Sequence, residues 1–382
     1  MSREQKRMKK VQRRRRRKRI FFAFEVVVLL VLIGCLFVYA KLNQTLDKIN
    51  ITPTDDSKIE TNDDLQLSKE VLTGYYNVLL VGVDYREDDP STGSLDACNS
   101  DTMILASINN DTKEIKLVSL FRDTLLNVGG REYDKANSAY WSGPEALLTM
   151  FNKNLDLDLH DYVTVNFQAV ADTVDLLGGI DLDLTAQEIV HLNNYCKDMV
   201  VLNEQVEGKE FNPLPEQDGT YHVDGLQALG YCRIRYTSGS DYRRTLRQRT
   251  VIMKIAEKAK SASIDQLMDV VDQVFPLVKT NISKDTMLKL GMSMLDYEIS
   301  DQKGFPFDHL EGEIDVPQRK NALDAVVPVT LENNVIQLHQ YLFPDEEYTP
   351  SKELKEYSGD LIYLSGWGED DIPKRSADWD VR

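Results

Sequence analysis

The sequence is poor in the residues that most hydrolytic and redox chemistry depends on. Five histidines are spread over 382 residues, and none forms an HExxH pair, so a zinc hydrolase is not expected. The four cysteines, Cys35, Cys98, Cys196 and Cys232, make no CxxC pair. Outside Cys35, one disulfide with a spare thiol and three reduced thiols both remain open. There is no GxSxG nucleophile elbow and no internal repeat. Positive charge is scarce in the body of the chain. The net charge is −17, yet residues 1–19 hold twelve Lys/Arg and one Glu, a net of +11, so the remainder carries −17 − 11 = −28. A body of that charge repels polyanions, and nucleic acid is not an expected partner. Any anion handled here must be captured by a local site.

The basic tail of residues 1–19 runs directly into IFFAFEVVVLLVLIGCLFVYA (residues 20–40), 21 residues with one charge, Glu25. At about 1.5 Å per residue this spans roughly 30 Å, the thickness of a bilayer core. Basic residues before the span place the tail in the cytoplasm and the rest of the chain outside, a single-pass type II topology. A cleaved signal peptide would have a shorter apolar core, about 7–15 residues, and a clearer small-residue site than VYAKL. An uncleaved transmembrane anchor is therefore expected, and RRRRRKR reads as its topology signal and not as a nucleic-acid tag. Residues 41–72 are polar and acidic without an apolar period, and read as an extracytoplasmic stalk.

The run YYNVLLVGVD (residues 75–84) suits a strand buried on both faces. DTMILASIN (101–109) and EIKLVSLFRD (114–123) read as two more strands, joined by the turn NNDT. GPEALLTMFNKNL (143–155) starts a helix with Pro and Glu. DYVTVNF (161–167) alternates as a strand, QAVADTVDLLGG (168–179) reads as a helix closed by glycine, and IDLDLT (180–185) as a short strand. VDGLQALGYCRIRY reads as a short helix that becomes a strand near Tyr231. A long amphipathic helix covers 243–261, with further helices near 263–280, 284–297 and 334–343. Alternating elements predict an α/β fold, a three-layer sandwich with a central mixed sheet flanked by helices. The domain is expected over 73–345, with core motifs in 77–250 and a helical remainder in 251–345. Residues 346–382 are expected to form a C-terminal extension, frayed from Gly366.

One stretch breaks the acidic pattern. YCRIRYTSGSDYRRTLRQR (231–249) has six arginines, one aspartate and no lysine. Arg233 and Arg235 are two apart on the expected strand and would share a face. Arg244 and Arg247 are three apart on the next helix and would share another. The loop TSGSDY can fold helix beside strand, gathering four guanidiniums at a helix N-terminus, which itself favours anions. Arginine in place of lysine suits bidentate contact with phosphate oxygens. A solvated basic face would mix in lysine and carry glutamate at i±4, which is absent. Among the carboxylates, Asp84 ends the first strand and Asp101 opens the second, at the sheet-end crevice where open α/β folds bind ligands. With phosphate oxygens and water they would make a Mg²⁺ site; turn or cap aspartates are the plain alternative. LFRD brings Arg122 and Asp123 to another sheet end.

The ordered set LLVGVD, SDTM, SLFRDT, KANSAY, LLGGID and DGLQALGYCRIRY…SDYRRTLRQR, behind a membrane anchor, resembles the LytR-CpsA-Psr family of cell-envelope phosphotransferases. LHQYLFPDEEYTPSKEL is similar too. The resemblance implies transfer of an anionic glycopolymer from a polyprenyl-pyrophosphate carrier to a hydroxyl of peptidoglycan, with polyprenyl phosphate leaving. It implies Asp84 and Asp101 as Mg²⁺ ligands. Arg122, Arg233 and Arg235 would contact the pyrophosphate, and Arg244, Arg247 and Gln248 fall on a family pattern that starts at Asp241. Lys135 and Asn137 match an element near the acceptor side, with Lys135 also within reach of the pyrophosphate. The lipid tail would occupy an apolar tunnel between sheet and helices. Three residues depart from the pattern: Asn99 where arginine is usual, with Arg86 as a substitute phosphate contact; Phe121 where proline is usual; and Arg243 where glycine is common. Asp123 is a candidate general base, or else orients Arg122 through a salt bridge. The expected partners are the lipid-linked glycopolymer, peptidoglycan and the cytoplasmic membrane. Two other readings compete: a non-catalytic envelope module that binds polyprenyl phosphates or wall polymer, and a polyprenyl-pyrophosphate hydrolase.

Overall fold

Along Val78, Leu79, Leu80 and Val81 successive side chains point to opposite sides of the strand, and the two sides join different apolar clusters. The computed structural model describes residues 50–83, 98–201, 208–235 and 240–373. Its strands are β1 (Asn50–Ile51), β2 (Tyr75–Val83), β3 (Ser100–Asn109), β4 (Glu114–Leu120), β5 (Leu125–Gly129), β6 (Glu132–Lys135), β7 (Asp161–Asn166), β8 (Ile180–Leu184), β9 (Gly219–Val223), β10 (Val278–Thr280), β11 (Glu298–Phe305), β12 (His309–Ile314) and β13 (Leu323–Pro328). Seven form one mixed sheet in the order β1-β10-β7-β2-β3-β4-β11. β3 runs antiparallel to both β2 and β4, while β7 is parallel to β2. The inner part of β3 is buried on both faces, as a central strand requires.

The helices are α1 (Lys69–Gly74), α2 (Pro144–Leu155), α3 (Phe167–Leu176), α4 (Ala186–Val201), α5 (Gly225–Arg233), α6 (Ser240–Ser261), α7 (Ile264–Val274), α8 (Lys284–Met292), α9 (Leu331–Leu342) and α10 (Lys352–Ser365). On one sheet face α2, α9 and α10 pack with β5, β12 and β13 around the largest apolar cluster. On the other, Ile252 of α6 and Met287 of α8 meet Val78, Ile104, Ala106 and Leu117. A third cluster joins α3, α4, α5, β8 and β9 to Val251 and Ile255 of α6. The expected sandwich, a mixed sheet between helical layers, is what the chain forms.

Several local expectations change. GYCRIRY is not a strand, because α5 runs on to Arg233 from a capping box between Asp224 and Gln227. Residues 50–72 are no free stalk: β1 pairs with β10, and Ile59, Asn62 and Val71 are buried. Part of the C-terminal extension is equally built in, since Leu354 and Leu361 of α10 are buried in the main cluster. Asp156 explains both additions. At the left-handed C-cap of α2 (φ 49°) its buried carboxylate accepts hydrogen bonds from Asn62 Nδ2 (2.5 Å), Tyr348 OH (2.5 Å) and the Ser351 amide (2.8 Å). Segments tied down by polar contacts carry no apolar period to read. The remainder after residue 250 is not all helix either, as it supplies β10, β11, β12 and β13.

The expected anchor at residues 20–40 and the tail before it lie outside the described residues. Among the described residues no helix is long and apolar enough to cross a membrane. Cys98, Cys196 and Cys232 are free thiols, and burial pushes Cys196 and Cys232 up to about 12.

Candidate functional site

Strand register brings several candidate residues to one end of the sheet. Val83, the last residue of β2, pairs with Ser100 at the start of β3 and with Asn166 at the end of β7. Leu120, the last residue of β4, pairs with Met103. Asp101, Arg122 and Phe167 therefore share that end by backbone position alone.

On the β3–β4 side, Arg122 is held from two directions. Its Nη1 donates to Asp101 Oδ1, and its Nε lies 3.5 Å from Asp123 Oδ1. Lys135 Nζ is 3.2 Å from the same Asp123 oxygen. The four side chains are between 17% and 27% exposed, open enough to meet a ligand and closed enough to be held. Backbone bonds hold the frame: the Asn137 amide donates to the Arg122 carbonyl (3.1 Å), and the Val326 amide to the Asp123 carbonyl (2.9 Å).

On the β7 side, the Arg233 guanidinium lies 5.8 Å from the Phe167 ring centre and 5.9 Å from that of Tyr195, within cation–π range. Arg247 is buried and committed. Its Nε and Nη2 donate to Glu188 Oε1 (3.1 and 3.0 Å), and its Nη1 to the Ile234 carbonyl (3.1 Å). Glu188 Oε2 accepts from the Thr185 amide and hydroxyl (3.1 and 3.0 Å), the capping box of α4. Arg244 lies one turn earlier on the same face of α6 and is also buried. Gln248 Oε1 is buried with no hydrogen-bond partner among the described residues; a carboxamide so placed can turn its NH₂ toward an anion. In the strand order, β7, which Phe167 follows, lies on one side of β2, and β3 and β4, which carry Asp101 and precede Arg122, lie on the other.

This arrangement of a mixed sheet, a sheet-end arginine and an arginine-bearing long helix can be set beside known proteins. The sequence profile of the LytR_cpsA_psr family matches residues 36–318. The chain belongs to the LytR_cpsA_psr family. A polyisoprenyl-teichoic acid–peptidoglycan teichoic acid transferase TagU from Enterococcus faecalis is 32% identical over 226 residues, 58% of this chain and 65% of the relative. That match spans just under two thirds of the relative's length. A TagU from Oceanobacillus iheyensis is 30% identical over 275 residues, 69% of this chain and 77% of the relative. Among solved structures, a LytR-CPS2A-psr family protein, YwtF (TagT), with bound octaprenyl pyrophosphate lipid matches with a TM-score of 0.51 at 20% identity, over 77% of this chain and 99% of that one. At that identity the likeness is one of fold.

In this LytR_cpsA_psr member, the residues expected from sequence fall into three sets. Asp101, Arg122, Asp123 and Lys135 come together. Arg233 lies on α5 and Arg244, Arg247 and Gln248 on α6, while Arg235 is exposed just past α5. Asp84 and Arg86 lie outside the described residues. Arg233 and Arg235 do not share a strand face, because the helix continues through Arg233.

Sequence reasoning missed Glu188 because it looked for a carboxylate at i±4, and this one is 59 positions away from Arg247; the TAQE capping box was the available signal. It also passed over Arg249. That side chain is 5% exposed, donates from Nε to Gln302 Oε1 (3.0 Å), and is pushed down to about 10 by burial. Of the departures, Phe121 is buried edge-on to His309 and uses its amide to reach the Phe305 carbonyl (3.0 Å), a bond proline could not make. Arg243 is exposed, and Asn99 accepts a hydrogen bond from Trp141 (2.9 Å). A small cleft elsewhere, walled by Leu67, His339 and Tyr348, includes no residue of this set.

Proposed function

We propose that this protein is a membrane-anchored phosphotransferase that moves an anionic glycopolymer from a polyprenyl-pyrophosphate carrier to peptidoglycan. The observation that carries the reading is a cationic sheet end joined by one helix to a half-buried apolar sheet face. α6 bears Arg244 and Arg247 near its start and Ile252 two turns later, over a face where Tyr76, Leu80, Ile115, Val163, Met287 and Ile299 are only half-buried. A carrier of this class needs both surfaces: cations for the diphosphate and apolar walls for the isoprenoid tail.

In the reaction, the acceptor hydroxyl oxygen attacks the phosphorus that bears the glycopolymer. The bond from that phosphorus to the bridging oxygen breaks, polyprenyl phosphate leaves with that oxygen, and the hydroxyl proton passes to solvent. Arg122 is oriented before substrate arrives, so little side-chain entropy is lost on binding. Its charge meets charge developing on the phosphoryl oxygens. Asp123, between Arg122 and Lys135, serves as a positioning residue in preference to a general base. Asp101 supplies one hard oxygen donor, and one or two carboxylates with substrate phosphates are enough for Mg²⁺, so the donor chemistry fits, with Asp84 as the second donor. Phosphate oxygens and water would fill the other positions. When bound, the ion would neutralise negative charge on the pyrophosphate. Residues 20–40 would hold the site against the outer surface of the cytoplasmic membrane.

The test is product analysis with the full chain, a polyprenyl-pyrophosphate-linked glycopolymer and peptidoglycan. The expected result is polymer joined to peptidoglycan by a phosphodiester, slowed by chelation of Mg²⁺ and cut by about 10²–10³ in Arg122→Ala. Polymer phosphate released into solution would make the protein a hydrolase. Binding without turnover would make it a non-catalytic module.

A further inference from the structure

Trp141 is 45% exposed. It belongs to the 3₁₀ turn Ala136–Ser142, which is fastened to the site's own frame. The Asn137 amide donates to the Arg122 carbonyl (3.1 Å), and Ser100 Oγ donates to the Asn137 carbonyl (3.4 Å). The preceding residue, Tyr140, is fully buried, with its hydroxyl 2.9 Å from Thr164 Oγ1. Trp141 Nε1 donates to Asn99 Oδ1 (2.9 Å). The one polar atom of the indole is thus satisfied and its orientation held, and the exposed remainder is apolar ring. Asn99 is two residues before Asp101, so their Cα atoms are within about 7.6 Å.

We propose that Trp141 is the stacking platform for the pyranose ring bonded directly to the carrier pyrophosphate, and that Asn99 is the positioning residue that holds it. This rests on the transferase reading above. A pyranose offers a face of C–H groups that matches an aromatic plane, while its rim hydroxyls stay in water. The first sugar is attached to the phosphate, so it must lie close to the residues that hold the pyrophosphate; Asn99, two residues before Asp101, and the turn of Trp141, bonded through Asn137 to the Arg122 carbonyl, meet that condition. An anion is a poor occupant, since the π face of an indole is negative. An isoprenoid tail already has the half-buried sheet face. The arginine usual in the family at position 99 is absent here, and the carboxamide in its place is spent on the indole.

The experiment measures binding of two probes to the full chain in detergent: sugar-free undecaprenyl pyrophosphate, and undecaprenyl pyrophosphate bearing one N-acetylglucosamine. Trp141→Ala is expected to weaken the sugar-bearing probe by roughly tenfold, the scale of one aromatic stack, and to leave the sugar-free probe unchanged. Trp141→Phe should recover most of the loss, and Asn99→Ala should lose less than Trp141→Ala. Equal loss on both probes, or loss on neither, overturns the platform. A loss confined to binding of a peptidoglycan fragment would move the residue to the acceptor side and overturn it too. Failure of the unaltered protein to bind either probe would instead overturn the transferase reading.

Discussion

The two faces of the central sheet come from the same strands but are filled differently. Among the described residues, thirty-eight buried apolar residues gather on one face with eight half-buried ones; on the other, five buried residues are outnumbered by seven half-buried ones. The difference lies in what covers them. α2, α9 and α10 bury full apolar stripes, whereas α8 buries no residue and α7 only Val274. Protein interiors close to near-crystalline density when nothing else is required of them. On the proposed reading, the half-buried face beside the sheet-end arginine is the seat of the isoprenoid tail.

The largest effects should fall on the filled face. Phe151→Ala or Leu79→Ala, both at most 1% exposed, should cost about 3–5 kcal/mol in denaturant unfolding. Leu80→Ala on the other face should cost less than about 1.5 kcal/mol; equal losses would break the comparison. Smaller than the filled-face losses is Arg247→Ala, which removes a buried guanidinium from the part-exposed Glu188 carboxylate and the Ile234 carbonyl and should destabilise by about 1.5–3 kcal/mol. A stable Arg247→Ala protein with lost activity would return that arginine to the substrate.

Acid should attack the filled side. Burial pushes His309 and His339 from 6.5 down to about 4. Below pH 6.5 the unfolded chain binds protons that the folded one refuses, so stability is fully present above that pH and is lost as pH falls toward 4. The two together carry up to about 3 kcal/mol each across that window, and His309→Gln with His339→Gln should flatten the slope in a pH series of thermal unfolding. The smallest stability effect is the most telling for function. Ile252→Trp should change stability by less than about 1 kcal/mol while blocking lipid binding; a bound lipid in that variant would argue against the open face as its seat.

Much of the sheet was legible because β2, β3, β4 and β7 carry strong apolar runs or alternation. Asp101 and the pair Arg122 and Asp123 were each read at strand ends, but at separate places on the sheet; the register of β3 against β4 brings them together. Three things were not legible. Residues 50–72 and the strap near Tyr348 are held by Asp156, through hydrogen bonds that leave no periodic trace. The end of α5 was lost because Arg233, Ile234 and Arg235 mimic a strand's alternation while the helix continues one residue into them. Glu188 was hidden by distance along the chain, since buried arginines find carboxylates in space and not at a fixed spacing. That Arg247 is committed to Glu188 therefore came only with the coordinates.

The most direct measurement is hydrogen exchange of the full chain with and without sugar-bearing polyprenyl pyrophosphate. Slowed exchange in α6 and α8, with α9 and α10 unchanged, is the predicted result. Protection centred on α9 and α10, or none in α6 and α8 at saturating lipid, would contradict the account.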